Sequence, residues 1–182
     1  MKLIRFVHVL LIVLVFSVAS FGAEDGFRGK VGFDIKGFKS NFRQDMGWLV
    51  GGRWAGYFGT SQVYMGLAAY FGAPTGLSIT NEKMYYGGAI LGVDANLSKS
   101  TVFEANLLLG YGEGQMNQLN ISERSHYVVE PGFGLGFNLG GGWRLTFGAS
   151  YLHMANAKNF SGPTFGFRFQ FRSTAARKPA SD

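Results

Sequence analysis

The chain has 182 residues, of which 28 are Gly and 18 are Phe, and the Gly share is roughly twice the average of about 7%. The absence of Cys excludes a disulfide framework, a Cys-ligated metal site and a Cys nucleophile. The net charge of +6 falls to +2 over residues 24–171, which hold 12 Lys and Arg against 10 Asp and Glu, and so no basic stripe is left for a nucleic acid partner.

The first residues have the charge and hydropathy of an export signal. Lys2 and Arg5 precede an apolar run over residues 6–19, and small residues follow up to Ala23. The run is short for a transmembrane helix, which needs about 20 apolar residues, and a membrane anchor is the alternative interpretation. We predict a signal peptide over residues 1–23 that is removed on export.

After residue 26 and as far as Phe171, apolar and polar residues alternate with a period of two, which indicates strands with one apolar face. The pattern predicts eight strands, at about Gly29–Phe38, Gly47–Phe58, Gln62–Gly72, Lys83–Leu97, Thr101–Gly112, Ser125–Leu139, Trp143–His153 and Pro163–Phe171. Long connections at 39–46, 73–82, 113–124 and 154–162 alternate with short ones at 59–61, 98–100 and 140–142. An even strand number with long loops at one end is typical of outer-membrane barrels. We predict an all-β, eight-stranded, antiparallel up-and-down transmembrane barrel over residues 24–171.

The two faces of the predicted strands differ in chemistry. One face is almost entirely large and apolar, whereas the other carries Gly with single charges. Aromatic residues near the strand ends fit interfacial girdles, and they are Trp48, Tyr85, Tyr111, Tyr127, Trp143 and Tyr151. With the apolar face inward, as in a soluble barrel that carries an apolar ligand, the outer surface would hold very few charges. We therefore predict that the apolar face contacts lipid, with the soluble barrel as the alternative.

The inward face of the predicted barrel carries acids and bases in equal number. These residues are Asp34, Asp94, Glu104 and Glu130 together with Lys36, Arg53, Arg144 and Arg168. Buried charges must pair, and eight strands enclose a space that side chains can fill. Gly residues beside them leave room for the large side chains. We predict a packed network of ion pairs without an open channel, and a selective pore is the alternative.

The last predicted strand resembles the terminal signal that the outer-membrane barrel assembly machinery reads. Its fixed positions, polar, Gly, apolar and aromatic, are occupied by Thr164, Gly166, Phe169 and Phe171. An ordinary amphipathic strand is the alternative. That signal usually ends a chain, whereas here residues 172–182 follow, and we predict that they form a disordered periplasmic tail.

A short motif at the end of the seventh predicted strand holds the candidate catalytic residues, His153 and Asn156, with Ala155 between them. Together with the Gly-rich strand before it and the Phe-rich strand after it, the segment Glu130–Phe171 resembles the lipid A deacylase (PagL-like) barrels. The resemblance implies an eight-stranded outer-membrane hydrolase that removes an ester-linked acyl chain from lipopolysaccharide. In that family a His-x-Ser-Asn motif supplies the base and the nucleophile, and a Glu on the next strand orients the His.

Two members of that catalytic group are missing from this sequence. The nucleophile position holds Ala155, the Glu position holds Phe167, and no acid lies between residues 154 and 171. Acyl transfer of this type needs a nucleophile, a base and an orienting group within hydrogen-bond reach. Ser161 is a possible substitute nucleophile, and an interfacial polar role for His153 is the other interpretation.

The sequence therefore favours a monomeric, non-enzymatic barrel in the outer membrane of a Gram-negative bacterium. We expect a structural or surface-interaction role through the loops, because loops carry function on such scaffolds. The expected partners are outer-membrane lipids, lipopolysaccharide and, during biogenesis, the barrel assembly machinery. We expect no cofactor and no metal, since His126 and His153 lack carboxylates in register. The alternative function is a lipid A deacylase-like esterase at the outer leaflet.

Overall fold

The computed structural model describes residues 28–39, 46–58, 60–73, 82–116, 121–155 and 160–173. The predicted signal peptide, residue Asn156 and the part of the predicted tail from residue 174 onwards lie outside these ranges. In the part of the chain that is described, no helix has the length and apolar character needed to cross a membrane.

The fold is a closed barrel of eight antiparallel strands in which each strand pairs with its neighbours in sequence. The strands are β1 (Gly29–Lys39), β2 (Met46–Tyr57), β3 (Val63–Ala73), β4 (Glu82–Asn96), β5 (Thr101–Met116), β6 (Ile121–Gly140), β7 (Trp143–Met154) and β8 (Gly162–Ser173). Strand β8 closes the barrel on β1, with pairs that run from Gly29↔Ser173 to Phe38↔Thr164. The predicted fold class is confirmed.

Side chains alternate between the two sides of the barrel wall, as the period of two requires. In β1, Phe33 is 52% exposed on the outside, whereas its neighbour Asp34 is 2% exposed on the inside. The same alternation continues through β8, where Phe167 and Phe169 point outward and Arg168 between them is buried. The apolar face is therefore the outer face, as predicted.

The two ends of the barrel differ in their connections. At one end, β6 turns into β7 through Gly140, Gly141 and Gly142, whose φ angles of 91°, 58° and 84° lie in the region that side chains disfavour. The turn from β4 to β5 is closed by Ser98, whose hydroxyl accepts hydrogen bonds from the backbone N–H groups of Ser100 and Thr101. The short turns therefore lie together at one end, and the opposite end is called the long-loop end below.

Strands β5 and β6 are longer than the alternation indicates. The predicted loop over residues 113–124 is mostly ladder, since β5 runs to Met116 and β6 starts at Ile121, with a register irregularity between Gly112 and Gly114. Beyond Gly112 of β5 and before Ser125 of β6, backbone pairing continues although apolar and polar residues no longer alternate. The period of two therefore disappears before the strands end. At the other end, β8 extends to Ser173, two residues into the predicted tail.

Glycine makes room for large side chains inside the barrel. A Cβ at Gly92 would lie 2.3 Å from Cζ and Oη of Tyr64, and a Cβ at Gly51 would lie 2.3 Å from the ring of Tyr70. Both rings are fully buried, and each lies over the glycine that pairs with it on the strand next to β3. These two positions require Gly, because a residue with a Cβ would not let the ring lie so close to the backbone.

We expect Gly92→Ala to destabilise the barrel by about 2 kcal/mol, because the new methyl group would displace the Tyr64 ring from its place beside Glu104. The matched control is Gly37→Ala, where the Cβ would meet only the flexible end of Met46 at 3.2 Å and a carbonyl at 3.6 Å. The measurement is urea unfolding in lipid vesicles. Equal midpoints for the two variants would contradict this packing argument.

Candidate functional site

The barrel interior holds a network of buried charged side chains. Its members in the described residues are the acids Asp34, Asp94, Glu104 and Glu130 and the bases Lys30, Lys36, Arg53, Arg144 and Arg168, none more than 8% exposed. All eight charges predicted for the inward face lie here. Lys30 was missed by the sequence analysis, although it shares the parity of Asp34 and Lys36 on β1.

Two acids and two arginines form the centre of the network. Asp34 accepts hydrogen bonds from Arg53 Nε at 3.1 Å and from Arg168 Nε at 2.6 Å. Glu104 Oε1 accepts from Arg168 Nη1 at 2.5 Å and from Arg53 Nη1 at 3.4 Å. The four side chains therefore bridge β1, β2, β5 and β8 across the interior. Charge-assisted bonds of this kind are stronger than neutral ones.

The network continues towards the short-turn end through Asp94. Its carboxylate pairs with Lys30 at 3.0 Å and with Arg144 at 2.7 Å, and it accepts a hydrogen bond from the Tyr57 hydroxyl at 2.7 Å. Lys30 Nζ also lies 3.3 Å from the centre of the Tyr64 ring, in cation–π geometry. Tyrosines thus add to the ion pairs, since a hydroxyl donates to Asp94 and a ring contacts the Lys30 ammonium group.

Towards the long-loop end, Glu130 is the organising acid. It pairs with Lys36 Nζ at 2.6 Å and accepts from the Tyr86 hydroxyl at 2.8 Å and from the Ser150 hydroxyl at 2.5 Å. The Ser150 hydroxyl in turn lies 2.5 Å from that of Thr164. Serine and threonine at these positions therefore continue the network along β7 and β8 towards the long-loop end.

An apolar cluster lies above the charges at the long-loop end. Its buried members are Phe38, Leu49, Ala68, Tyr70, Met84, Tyr86, Leu108, Val128, Leu152, Met154 and Phe160. A cavity of about 30 Å³ lies among the charges below it, lined in part by Asp34, Arg53 and Glu130, and it has room for only a few water molecules. The described side chains thus fill the interior with a polar layer and an apolar layer.

The outer surface is a belt of exposed apolar side chains. Met65, Leu91 and Phe147 are each more than half exposed, and they come from β3, β4 and β7. A contiguous surface of this kind would be unusual for a soluble protein, whereas it is the normal lipid-facing surface of a membrane barrel. The belt therefore identifies the barrel as membrane-spanning.

Aromatic rings occur at two levels of this belt. Tyr111 and Tyr127 pair across β5 and β6 with ring centres 4.9 Å apart, on the long-loop side. On the short-turn side, Trp143 stacks on Phe169 at 4.7 Å and contacts Phe171 edge-on at 5.2 Å. Rings at both levels are typical of the two interfacial girdles of a transmembrane barrel.

His153 lies on the outer face near the long-loop end of β7, opposite Val129 of β6. Ser161, considered above as a substitute nucleophile, is buried, and its hydroxyl accepts a hydrogen bond from the backbone N–H of Met154 at 2.9 Å. This bond engages the backbone of Met154 at the end of β7, whereas the His153 side chain points outward. The structure does not bring these two side chains together.

The residues of the predicted insertion signal all lie in β8. Phe169 and Phe171 point outward into the belt at 42% and 37% exposure, whereas Thr164 is buried beside Ser150. Gly166 faces β1, where a Cβ would lie 2.1 Å from the carbonyl oxygen of Ile35. The strand thus combines lipid-facing rings with close contact to the strand that closes the barrel.

No family model matches the sequence, and no curated protein matches it. Among solved structures, the chain is similar to Ail, the attachment invasion locus protein of Yersinia pestis, with 16% identity and a TM-score of 0.50 over 82% of this chain and 100% of that one. It is also similar to Neisserial surface protein A, with 13% identity and a TM-score of 0.54 over 81% and 96%. These likenesses establish the fold as that of the small eight-stranded barrels of Gram-negative outer membranes.

We expect Glu104→Gln to destabilise the barrel by about 3–5 kcal/mol, because it removes one of the two carboxylates that the buried Arg53 and Arg168 share. Lys99→Gln, at an exposed turn, is the matched control that also removes one charge. Urea unfolding in vesicles compares the two variants. A stability loss as small as that of the control would show that the charged side chains of the network do not depend on one another.

Proposed function

We propose that this outer-membrane barrel has a structural or surface-interaction role, with no open pore and no reaction of its own. The observation that carries the proposal is the engagement of the interior acids. Asp34, Asp94 and Glu130 each accept hydrogen bonds from three side chains, and Glu104 accepts from still more. Carboxylates held in this way are poorly placed to exchange protons with a substrate.

The long-loop end supports the surface role. The last pair between β6 and β7 is Val128↔Met154, whereas β6 continues to pair with β5 as far as Ile121. The β5–β6 hairpin therefore projects beyond the β7–β8 hairpin as a paired ribbon. One protein with this fold is named as an attachment invasion locus protein and another as a surface protein, which agrees with contact between this end and an external partner.

The closed barrel and its last strand also bear on assembly. We propose that the folded chain is a monomer, since closure of β8 on β1 leaves no free strand edge among the described strands. The outward rings of β8 and its Thr164 and Gly166 support recognition by the barrel assembly machinery. Outer-membrane lipids, lipopolysaccharide included, are the proposed neighbours of the belt.

The orientation of the barrel can be tested with single cysteines, because the chain has none. Lys83 is exposed at the long-loop end of β4, and Ser98 is exposed in the turn that follows the other end of β4. A large, membrane-impermeant maleimide should label Lys83→Cys on intact cells, whereas Ser98→Cys should react only after the outer membrane is permeabilised. The reverse pattern would place the long-loop end in the periplasm and remove the proposed surface role.

A lipid A deacylase-like esterase is the second candidate, favoured by the position of His153 on the outer face at the long-loop end. The proposal of a non-enzymatic role predicts that expression leaves the acyl number of lipid A unchanged in mass spectra, for the parent chain and for His153→Ala alike. Loss of an acyl chain that depends on His153 would support the esterase instead.

A further inference from the structure

The barrel wall is interrupted between β6 and β7. Val129 pairs with His153 and Gly132 pairs with Ser150 in one register, but no pairs occur between these two points. Pro131 lies in the interval, and it has no N–H to donate to a ladder. On its other side β6 stays paired, with Leu107↔Pro131 and Leu108↔Glu130. The gap is therefore confined to one seam of the barrel.

A groove on the outer face lies over this gap. The groove is shallow, and its volume is about 590 Å³. Side chains that line it include Ala105, Pro131, Phe133, Tyr151, Pro163 and Phe165, from four adjacent strands. Small residues form its floor, and the rings of Phe133 and Phe165 form its sides.

The floor of the groove contains polar groups from the interior. Asn106 and Ser150 line both the groove and the cavity inside the barrel, and both are half-buried although they lie on the inward face. Gly132 lies beside these two side chains and has no side chain to cover them. A Cβ there would lie 2.9 Å from Cβ of Ser150 and 3.4 Å from Oδ1 of Asn106. A hydroxyl that belongs to the Glu130 hydrogen-bond chain thus borders an apolar, lipid-facing groove.

We propose that this groove binds one acyl chain of a bilayer lipid, with an ester oxygen of the chain towards the Asn106 amide or a hydroxyl of the chain towards Ser150. The groove is continuous with the lipid-facing belt, so a hydrocarbon chain of the surrounding bilayer is the available occupant. The Ser150 hydroxyl gives its proton to Glu130, so its oxygen can accept a hydrogen bond from a hydroxyl of the chain. The Asn106 amide has a second N–H besides the one that it donates to Glu104, and it can donate to an ester oxygen. The site lies on the long-loop half, because Tyr151 and Pro163 pair next to the end of the β7–β8 ladder.

The inference rests on the membrane-spanning location of the proposed function, and the test separates the two. The protein is folded into phosphatidylcholine vesicles that contain a phospholipid with a photoreactive diazirine on one acyl chain. After irradiation, the labelled peptides are mapped by mass spectrometry. We expect labelling of the segments around Pro131 and Ser150 to exceed that of other outward positions several-fold. Even labelling around the belt would overturn the proposal.

Two variants sharpen the test. Ala149→Phe fills the groove from its floor and should reduce the local labelling several-fold, and Ala105→Phe serves the same purpose if the first variant folds poorly. Ala89→Phe, on the outer face of β4 and away from the groove, is the matched control. Unchanged labelling in both groove variants would overturn the proposal.

A second lipid source and a folding readout complete the design. A photoreactive free fatty acid at the same concentration should label the groove less than the phospholipid does, and the opposite result would overturn the assignment to a bilayer lipid. Heat-modifiable migration on gels reports insertion in each sample. Failure of the parent chain to insert would contradict the membrane barrel itself, whereas insertion with even labelling would contradict only the groove.

Discussion

A backbone N–H or C=O group that meets hydrocarbon must find its partner within the protein, because an unpaired group there costs several kcal/mol. The closed ladder of eight strands meets this constraint, and the return of β8 to β1 removes the last open edge. Because the closed wall meets lipid on its outer side, the apolar side chains point outward and the charges inward, and aromatic rings mark the two levels where the wall meets water. The interruption beside Pro131 is notable for this reason, since it occurs within an otherwise continuous wall.

Closure also determines the chemistry of the interior. Eight strands enclose so little space that large side chains fit only beside bare backbone, as Tyr64 does beside Gly92. Charges in such a space are stable only in pairs, and Glu104 shows how strongly they depend on each other, because it serves Lys30, Arg53 and Arg168 at once. An interior organised for stability leaves the long-loop end and the lipid-facing surface as the places where this protein can contact other molecules.

Much of this could be read from the alternation of residues. A period of two is a local property, so it shows which residues form strands and which side of the wall each residue occupies. The strand count, the outward Phe residues of β8 and the inward position of residues such as Asp94 and Arg144 follow from it. It also places His153 on the outer face, although it says nothing about the neighbours of that side chain.

The tertiary structure decided which side chains meet. Lys36 pairs with Glu130, 94 residues away, because the stagger of the strands around the barrel brings these two together, and no spacing along the chain encodes that stagger. The same holds for the apolar cluster at the long-loop end and for the groove shared by four strands. The full length of β5 and β6 could not be predicted from the sequence either, because strand pairing needs only the backbone and continues where the alternation of polarity stops. The side of the wall that a side chain occupies is a local property of its strand, so the sequence alone determined it. Which side chains contact each other depends on the geometry of the closed barrel, so only the folded structure decided it.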